Sequence, residues 1–259
     1  MRQIAQAPRP VRFIGAGPGA LCHLTLGAAE ALRSAEIVIH DRLVGPEILA
    51  LVPADAEVID MGKEGFGPSA AQSAINATLV AKALTGRAVV RLKGGDCGIF
   101  GRLDEEIEAL EIYSIPFEIL PGLTAATVAA AAIGQSLTRR GRNRSLRILT
   151  GHDMAGFADQ DWRGLSNPDE VAAIYMGKKS ARFLQGRLMM HGASADTPVT
   201  IVANVSRPDE RIIGTTLAAL PAALEGVDGP AVLLYGLAPR HALRSLDQLA
   251  PDPLQEALA

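Results

Sequence analysis

Between Val11 and Leu120 short apolar runs alternate with segments of helical spacing. The runs are Val11–Ile14, Ile37–His40, Glu57–Met61, Ala88–Leu92 and Phe117–Leu120. The spacing predicts helices over Thr25–Ser34, Pro46–Leu51, Ser69–Leu84 (closed by Gly86) and Leu103–Tyr113. Strands that alternate with helices close most simply into a largely parallel α/β sheet. Pro121-Gly122 interrupts the pattern. Beyond it come a small-residue helix over Thr124–Ile133, strands at Leu146–Leu149, Val171–Tyr175, Val199–Val202 and Ala231–Leu234, and helices at Ser180–Met190 and Thr216–Leu224. The connection from Gly151 to Pro168 is polar and reads as irregular. A boundary near Pro121 divides the chain into segments 11–121 and 122–244, with peripheral tails at 1–10 and 245–259.

Composition narrows the classes of function. The 259 residues are 48% hydrophobic but only 4% aromatic, so small aliphatic side chains must build the core. The net charge of -3 leaves no chain-wide footprint for nucleic acid. Cys22 and Cys97 fall in no metal or disulfide spacing, and His23, His40, His152, His191 and His241 show no ligand spacing. No metal is expected. The N-terminus lacks an apolar signal region and no run approaches the length of a membrane span, so a cytoplasmic protein is expected.

Four features could carry chemistry. The turn Gly15-Ala16-Gly17-Pro18-Gly19 follows the first strand, where glycine lets backbone approach a ligand. A dinucleotide site fits it poorly. Pro18 removes a backbone N–H, and the glycines alternate instead of following the fingerprint. A plain strand-to-helix turn remains open. The loop Lys93-Gly94-Gly95-Asp96-Cys97-Gly98-Ile99-Phe100-Gly101-Arg102 ends another strand, at the edge where open α/β sheets bind ligands. Arg102 and Glu105 share a helix face. They are either a surface ion pair or a device to bind a carboxylate and move a proton. The run Arg139-Arg140-Gly141-Arg142-Asn143-Arg144 is a local basic patch in an acidic chain. It is either a solvated loop or a trap for several carboxylates or phosphates, which the guanidinium fork suits.

In order along the chain stand Val11–Gly19, Asp41-Arg42-Leu43-Val44, Met61-Gly62-Lys63, Arg91–Asp96, Leu120-Pro121-Gly122, Leu137-Thr138, Thr150-Gly151-His152, Tyr175-Met176-Gly177 and Ser206-Arg207-Pro208. On these motifs the chain resembles the uroporphyrinogen-III C-methyltransferases of the tetrapyrrole methylase superfamily from Val11 to about Arg240. The resemblance implies the class III methyltransferase fold: two α/β domains, an active site in the cleft between them, and a homodimer. It implies S-adenosylmethionine as methyl donor, leaving S-adenosylhomocysteine, with contacts at Pro18, Gly94, Gly95, Asp96, Ile99, Thr124, Ala125, Met176, Val205 and Ala231. It carries acid/base candidates onto Asp41 and Lys63, with Arg102, Glu105 and Arg140 on the substrate side. The implied reaction methylates uroporphyrinogen III at C2 and C7 to give precorrin-2, for sirohaem, cobalamin or haem d1 synthesis. The chain departs from the family pattern at Cys97-Gly98, Leu103-Asp104, Arg139 and Val205, all around the implied pocket. Those departures bear on turnover and substrate, not on fold. Methylation of another tetrapyrrole and a non-catalytic ligand-binding role are the competing readings. A ribosomal-RNA methylating role is disfavoured by the absence of a broad basic face.

Overall fold

A computed structural model describes residues 8–62, 72–153 and 156–240. The first sheet is built from β1 (Val11–Gly15), β2 (Ile37–His40), β3 (Glu57–Asp60), β4 (Val89–Lys93) and β5 (Phe117–Leu120), ordered β3-β2-β4-β1-β5 and parallel throughout. Its central strands are buried on both faces, which is why β1, β2 and β4 read as continuous apolar runs. Helices α1 (Leu26–Arg33), α2 (Pro46–Leu49), α3 (Gln72–Ala83) and α4 (Leu103–Glu111) connect them. Thr25 caps α1 by accepting from the Ala28 N–H at 3.2 Å. Val11, Phe13, Ile37 and Ile39 pack on one face of the sheet, and Ile14, Val38, Val90 and Leu92 on the other.

The second half begins with α5 (Ala125–Ala132) and forms β6 (Arg147–Thr150), the two-residue pair β7 (His152–Asp153) and β8 (Gly156–Phe157), α6 (Trp162–Leu165), β9 (Ala172–Tyr175), α7 (Ala181–Met190), β10 (Pro198–Ala203), β11 (Arg211–Thr216), α8 (Leu220–Ala223) and β12 (Ala231–Tyr235). Its sheet runs β11-β10-β12-β9-β6, antiparallel except where β6 joins β9. The small residues of α5 let it lie close on this sheet, with Ala126, Val128 and Ala129 against Val171, Ala173, Val202 and Val232. That close partner is what the alanine-rich sequence required.

Three departures from the sequence pattern have physical causes. β11 is an edge strand with no fully buried residue, so it carries no apolar alternation. It occupies Thr216, the residue at which a helix was expected, and α8 is confined to Leu220–Ala223. The connection expected to be irregular contains β7, β8 and α6, because Trp162 and Leu165 bury themselves in the second core and Asp161 caps α6 from the Gly164 N–H. The expected start of α3 at Ser69 lies outside the described residues. Among the described residues no helix is long and apolar enough to cross a membrane, and no cluster of side chains is arranged to hold a metal ion.

Backbone crosses backbone where β1, β4 and β5 end. A Cβ on Gly122 would stand 2.3 Å from the Gly95 oxygen, and one on Gly15 only 2.5 Å from the Gly122 nitrogen. Neither contact can be relieved by a side-chain rotation. Gly122→Ala should therefore destabilise the protein by about 1–3 kcal/mol, as overpacking does, measured by urea denaturation. A variant as stable as the wild type would show that the turns are free to separate.

Candidate active site

Three glycine turns make the floor of the site. The Gly17 N–H donates to the Gly95 oxygen at 3.0 Å, and the Gly95 N–H returns the bond to Gly17 at 2.7 Å. Asp96 ties the third turn in: its carboxylate accepts from the Gly98 N–H and the Gly122 N–H, both at 2.9 Å. Gly15 and Gly122 are thus glycines because one loop presses on another. Gly95 differs. Its φ is +72° and a Cβ there would meet nothing within 4 Å.

Beside this junction is a cavity of about 250 Å³. It lies at the carboxyl ends of β1 and β4, beneath the ends of β9 and β10 and the start of β12. Pro18, Gly94, Gly95, Asp96 and Ile99 form one side; Thr124, Ala125, Met176, Val205 and Ala231 form the other. These are the residues to which the motif resemblance assigned the methyl donor, and all line one space. Leu43, Lys93, Phe100, Tyr175, Arg207 and Val232 also line it, and the motif reading gave none of them a role. Phe100 packs its ring 5.4 Å from that of Tyr175. The Tyr175 hydroxyl accepts from the Ala126 N–H at 2.8 Å and is hydrogen-bonded to Thr124, so it joins α5 to β9. Burial pushes its pKa up, keeping the phenol neutral. Phe100, Arg102, Met176, Asn204 and Ser206 all have positive φ, and all lie on the wall or beside it. Strained backbone of this kind gathers at ligand sites.

Asp41 reaches the cavity from the end of β2. Its carboxylate accepts from Arg91 at 2.6 Å. Arg91, 1% exposed, also makes a two-pronged bond of 3.0 and 3.0 Å to Glu106, and Glu106 accepts from Lys93 at 2.7 Å. Two cations and two carboxylates thus balance at the heart of the first half. Desolvation alone would lower the Arg91 pKa, but Asp41 and Glu106 outweigh it and hold it above the ordinary value. A detectable signal existed: an arginine and a lysine inside the buried run Val89–Lys93 each demand an anion.

Other candidates fall elsewhere. Arg102 and Glu105 bond to each other at 2.7 and 2.6 Å, are exposed, and do not line the cavity. The Arg102 hydrogen bond lowers the Glu105 pKa, which makes that carboxylate a poorer proton acceptor. Arg140 is exposed and also off the wall. Its loop joins the ends of α5 and β6 that point away from Tyr175. Within the basic run Arg142 holds the loop, donating to Asn143 at 3.0 Å and to the Ser136 oxygen at 2.9 Å. Lys63 lies outside the described residues.

The departures from the family pattern are accommodated. Cys97 is wholly buried beneath the first sheet; burial first, then the charge of Asp96, pushes its pKa up to about 12. It is a small apolar residue, not a nucleophile. Leu103 packs on the same core, and Val205 packs with Val202 and Val232. Asp104 stands in the first turn of α4, where a negative charge suits the helix dipole. The Arg139 N–H donates to the Asn143 side chain at 3.1 Å.

Residues 10–221 match the family model for the tetrapyrrole (corrin/porphyrin) methylases. The chain belongs to this family. Siroheme synthase 3 of Aeromonas hydrophila is 40% identical over 232 residues, which are 90% of this chain and 50% of that protein. The chain spans about half the length of the curated relatives it matches. A solved uroporphyrin-III C-methyltransferase from Thermus thermophilus, complexed with S-adenosylhomocysteine, is 32% identical with a TM-score of 0.75, covering 88% of this chain and 92% of its own. A cobalt precorrin-4 methyltransferase is 25% identical with a TM-score of 0.78, covering 88% and 94%. The family read from the motifs and the α/β fold class both hold.

The buried network and the exposed pair should respond differently to substitution. Glu106→Leu leaves the buried Lys93 without its anion and Arg91 with Asp41 alone, and should cost about 3–5 kcal/mol. Arg102→Ala should leave the melting temperature near that of the wild type. Thermal melts of both variants make the comparison, and equal melting temperatures would contradict it.

Proposed function

We propose that the chain transfers methyl groups from S-adenosylmethionine to uroporphyrinogen III, at C2 and then C7, giving precorrin-2. One observation carries the reading. The residues that match the family's donor motif converge on a single cavity, in a fold shared with a relative solved with S-adenosylhomocysteine. Gly95 tests the fit. It lines the cavity, and its missing side chain leaves open space, which suits a main chain that meets a ligand. When bound, S-adenosylmethionine supplies an electrophilic methyl group on a sulfonium.

The protein's part is to align donor and acceptor and to handle a proton. Orientation is the main rate term available to such a site. Pro18, Ile99, Ala125, Met176, Val205 and Ala231 give the wall an apolar character that excludes water. A macrocycle carbon that accepts a methyl group must lose a proton, and a base assists. Asp41 is the better base of the two candidate acids. It faces the cavity, whereas Glu105 is held by Arg102 away from it. Lys63 is a second acid/base candidate, and Arg102 and Arg140 are assigned to substrate carboxylates. The division at 11–121 and 122–244, the cytoplasmic location and the homodimer belong to the same reading. For the dimer, light scattering that finds a monomer at micromolar concentration contradicts it. A different tetrapyrrole substrate is the second reading, supported by the likeness to the cobalt precorrin-4 methyltransferase.

Gly95→Asn separates cavity from scaffold. Asparagine tolerates positive φ, so the turn survives while its side chain enters the cavity. Calorimetry on the folded variant should find S-adenosylhomocysteine affinity reduced at least roughly tenfold. Asp41→Asn should bind that ligand normally and lose about two decades of kcat, the scale of a missing general base. Unchanged affinity in the first variant, or unchanged kcat in the second, removes the residue from its role.

A further inference from the structure

The charges facing the cavity are matched, with one exception. Asp41 is met by Arg91, Lys93 by Glu106, and Asp96 by the N–H groups of Gly98 and Gly122. Arg207 also lines the cavity, yet it makes no ion pair among the described residues. The acids nearest it in sequence are engaged elsewhere. Asp209 accepts from the Asn204 side chain at 2.8 Å, and Glu210 from the Ser206 N–H at 2.6 Å.

Arg207 is nonetheless held in place. Its stem crosses Gly19 so closely that a Cβ there would stand 2.7 Å from its Cγ. Beside it the Ala20 N–H donates to the Ser206 hydroxyl at 2.9 Å. One guanidinium nitrogen donates to the Leu43 oxygen at 2.9 Å, joining the second half to the loop that follows Asp41. The other guanidinium donors have no protein acceptor among the described residues. A planar fork, partly desolvated and fixed at the edge of a cavity, is suited to a carboxylate.

We infer that Arg207 is a ligand-binding residue that takes a carboxylate of the bound reactants. The inference rests on the methyl-transfer reading, in which two sources offer that group: the amino-acid end of the methyl donor and the acidic side chains of the macrocycle. It differs from the roles given to Arg102 and Arg140, which do not line the cavity.

The test uses Arg207→Met, which keeps the stem, with folding checked by a thermal melt. Three quantities are measured: the affinity for S-adenosylhomocysteine, the affinity for 5′-methylthioadenosine, which lacks the carboxylate, and KM for uroporphyrinogen III. Loss of a charged hydrogen bond weakens a contact roughly ten- to a hundredfold. If the donor supplies the carboxylate, S-adenosylhomocysteine binding falls by that factor and 5′-methylthioadenosine binding holds. If the macrocycle supplies it, both nucleoside affinities hold and KM rises by that factor. Either result supports the inference. Wild-type values for all three, or an equal loss for the two nucleosides, overturn it. Should the Met variant fail to fold, Arg207→Lys replaces it: a point charge in place of the fork should weaken the carboxylate-bearing ligand several-fold and leave 5′-methylthioadenosine unchanged. A wild-type protein that binds neither nucleoside and methylates no tetrapyrrole overturns the functional reading itself, and this inference with it.

Discussion

The packing of Gly15, Gly95 and Gly122, backbone against backbone, is the constraint on which the site depends. Their main chains approach so closely that no Cβ fits at Gly15 or Gly122. The reciprocal bonds between Gly17 and Gly95, and the bond from Gly122 to Asp96, fix the three turns as one piece. Because these turns end β1, β4 and β5, the junction sets where the first sheet stops and where α5 departs for the second. The cavity is the space left beside it. Gly95 is the member of the group that lines that space and has no neighbour where a Cβ would stand.

Above the junction the two halves are joined by polar contacts that also touch the cavity's rim. Ser206 is bonded to Ala20 and to His23, and Arg207 to the Leu43 oxygen. Below it the Arg91–Glu106–Lys93 network anchors Asp41 from the interior. The proposed base, Asp41, is therefore set on a loop gripped from both sides. Such a site suits a reaction in which alignment does most of the work.

Much of the first half is legible in the sequence, because a parallel sheet covered on both faces writes each strand as an apolar run. The second half is less so. β11 is an exposed edge strand, and its Arg-Ile-Ile-Gly-Thr-Thr carries no clear period. Of the residues that share the cavity, the Gly94-Gly95-Asp96 loop is marked by its own glycine density, whereas Ile99, Thr124, Met176, Val205 and Ala231 are named by the motif resemblance alone. Arg91 and Glu106 escaped assignment although each betrays the other: a cation in a buried strand needs an anion, and only the fold says which one. Arg102 and Glu105 show the reverse. Helical spacing places them together, but not whether they face the cavity, and here they pair with each other in solvent.

The central claim is that this cavity holds a methyl donor for transfer to a tetrapyrrole. The most direct measurement is incubation of the purified protein with uroporphyrinogen III and S-adenosylmethionine carrying a labelled methyl group, followed by mass analysis of the macrocycle. The account predicts a macrocycle that gains two labelled methyl groups, with S-adenosylhomocysteine released in step. A protein that binds S-adenosylhomocysteine but leaves the macrocycle unlabelled would contradict it.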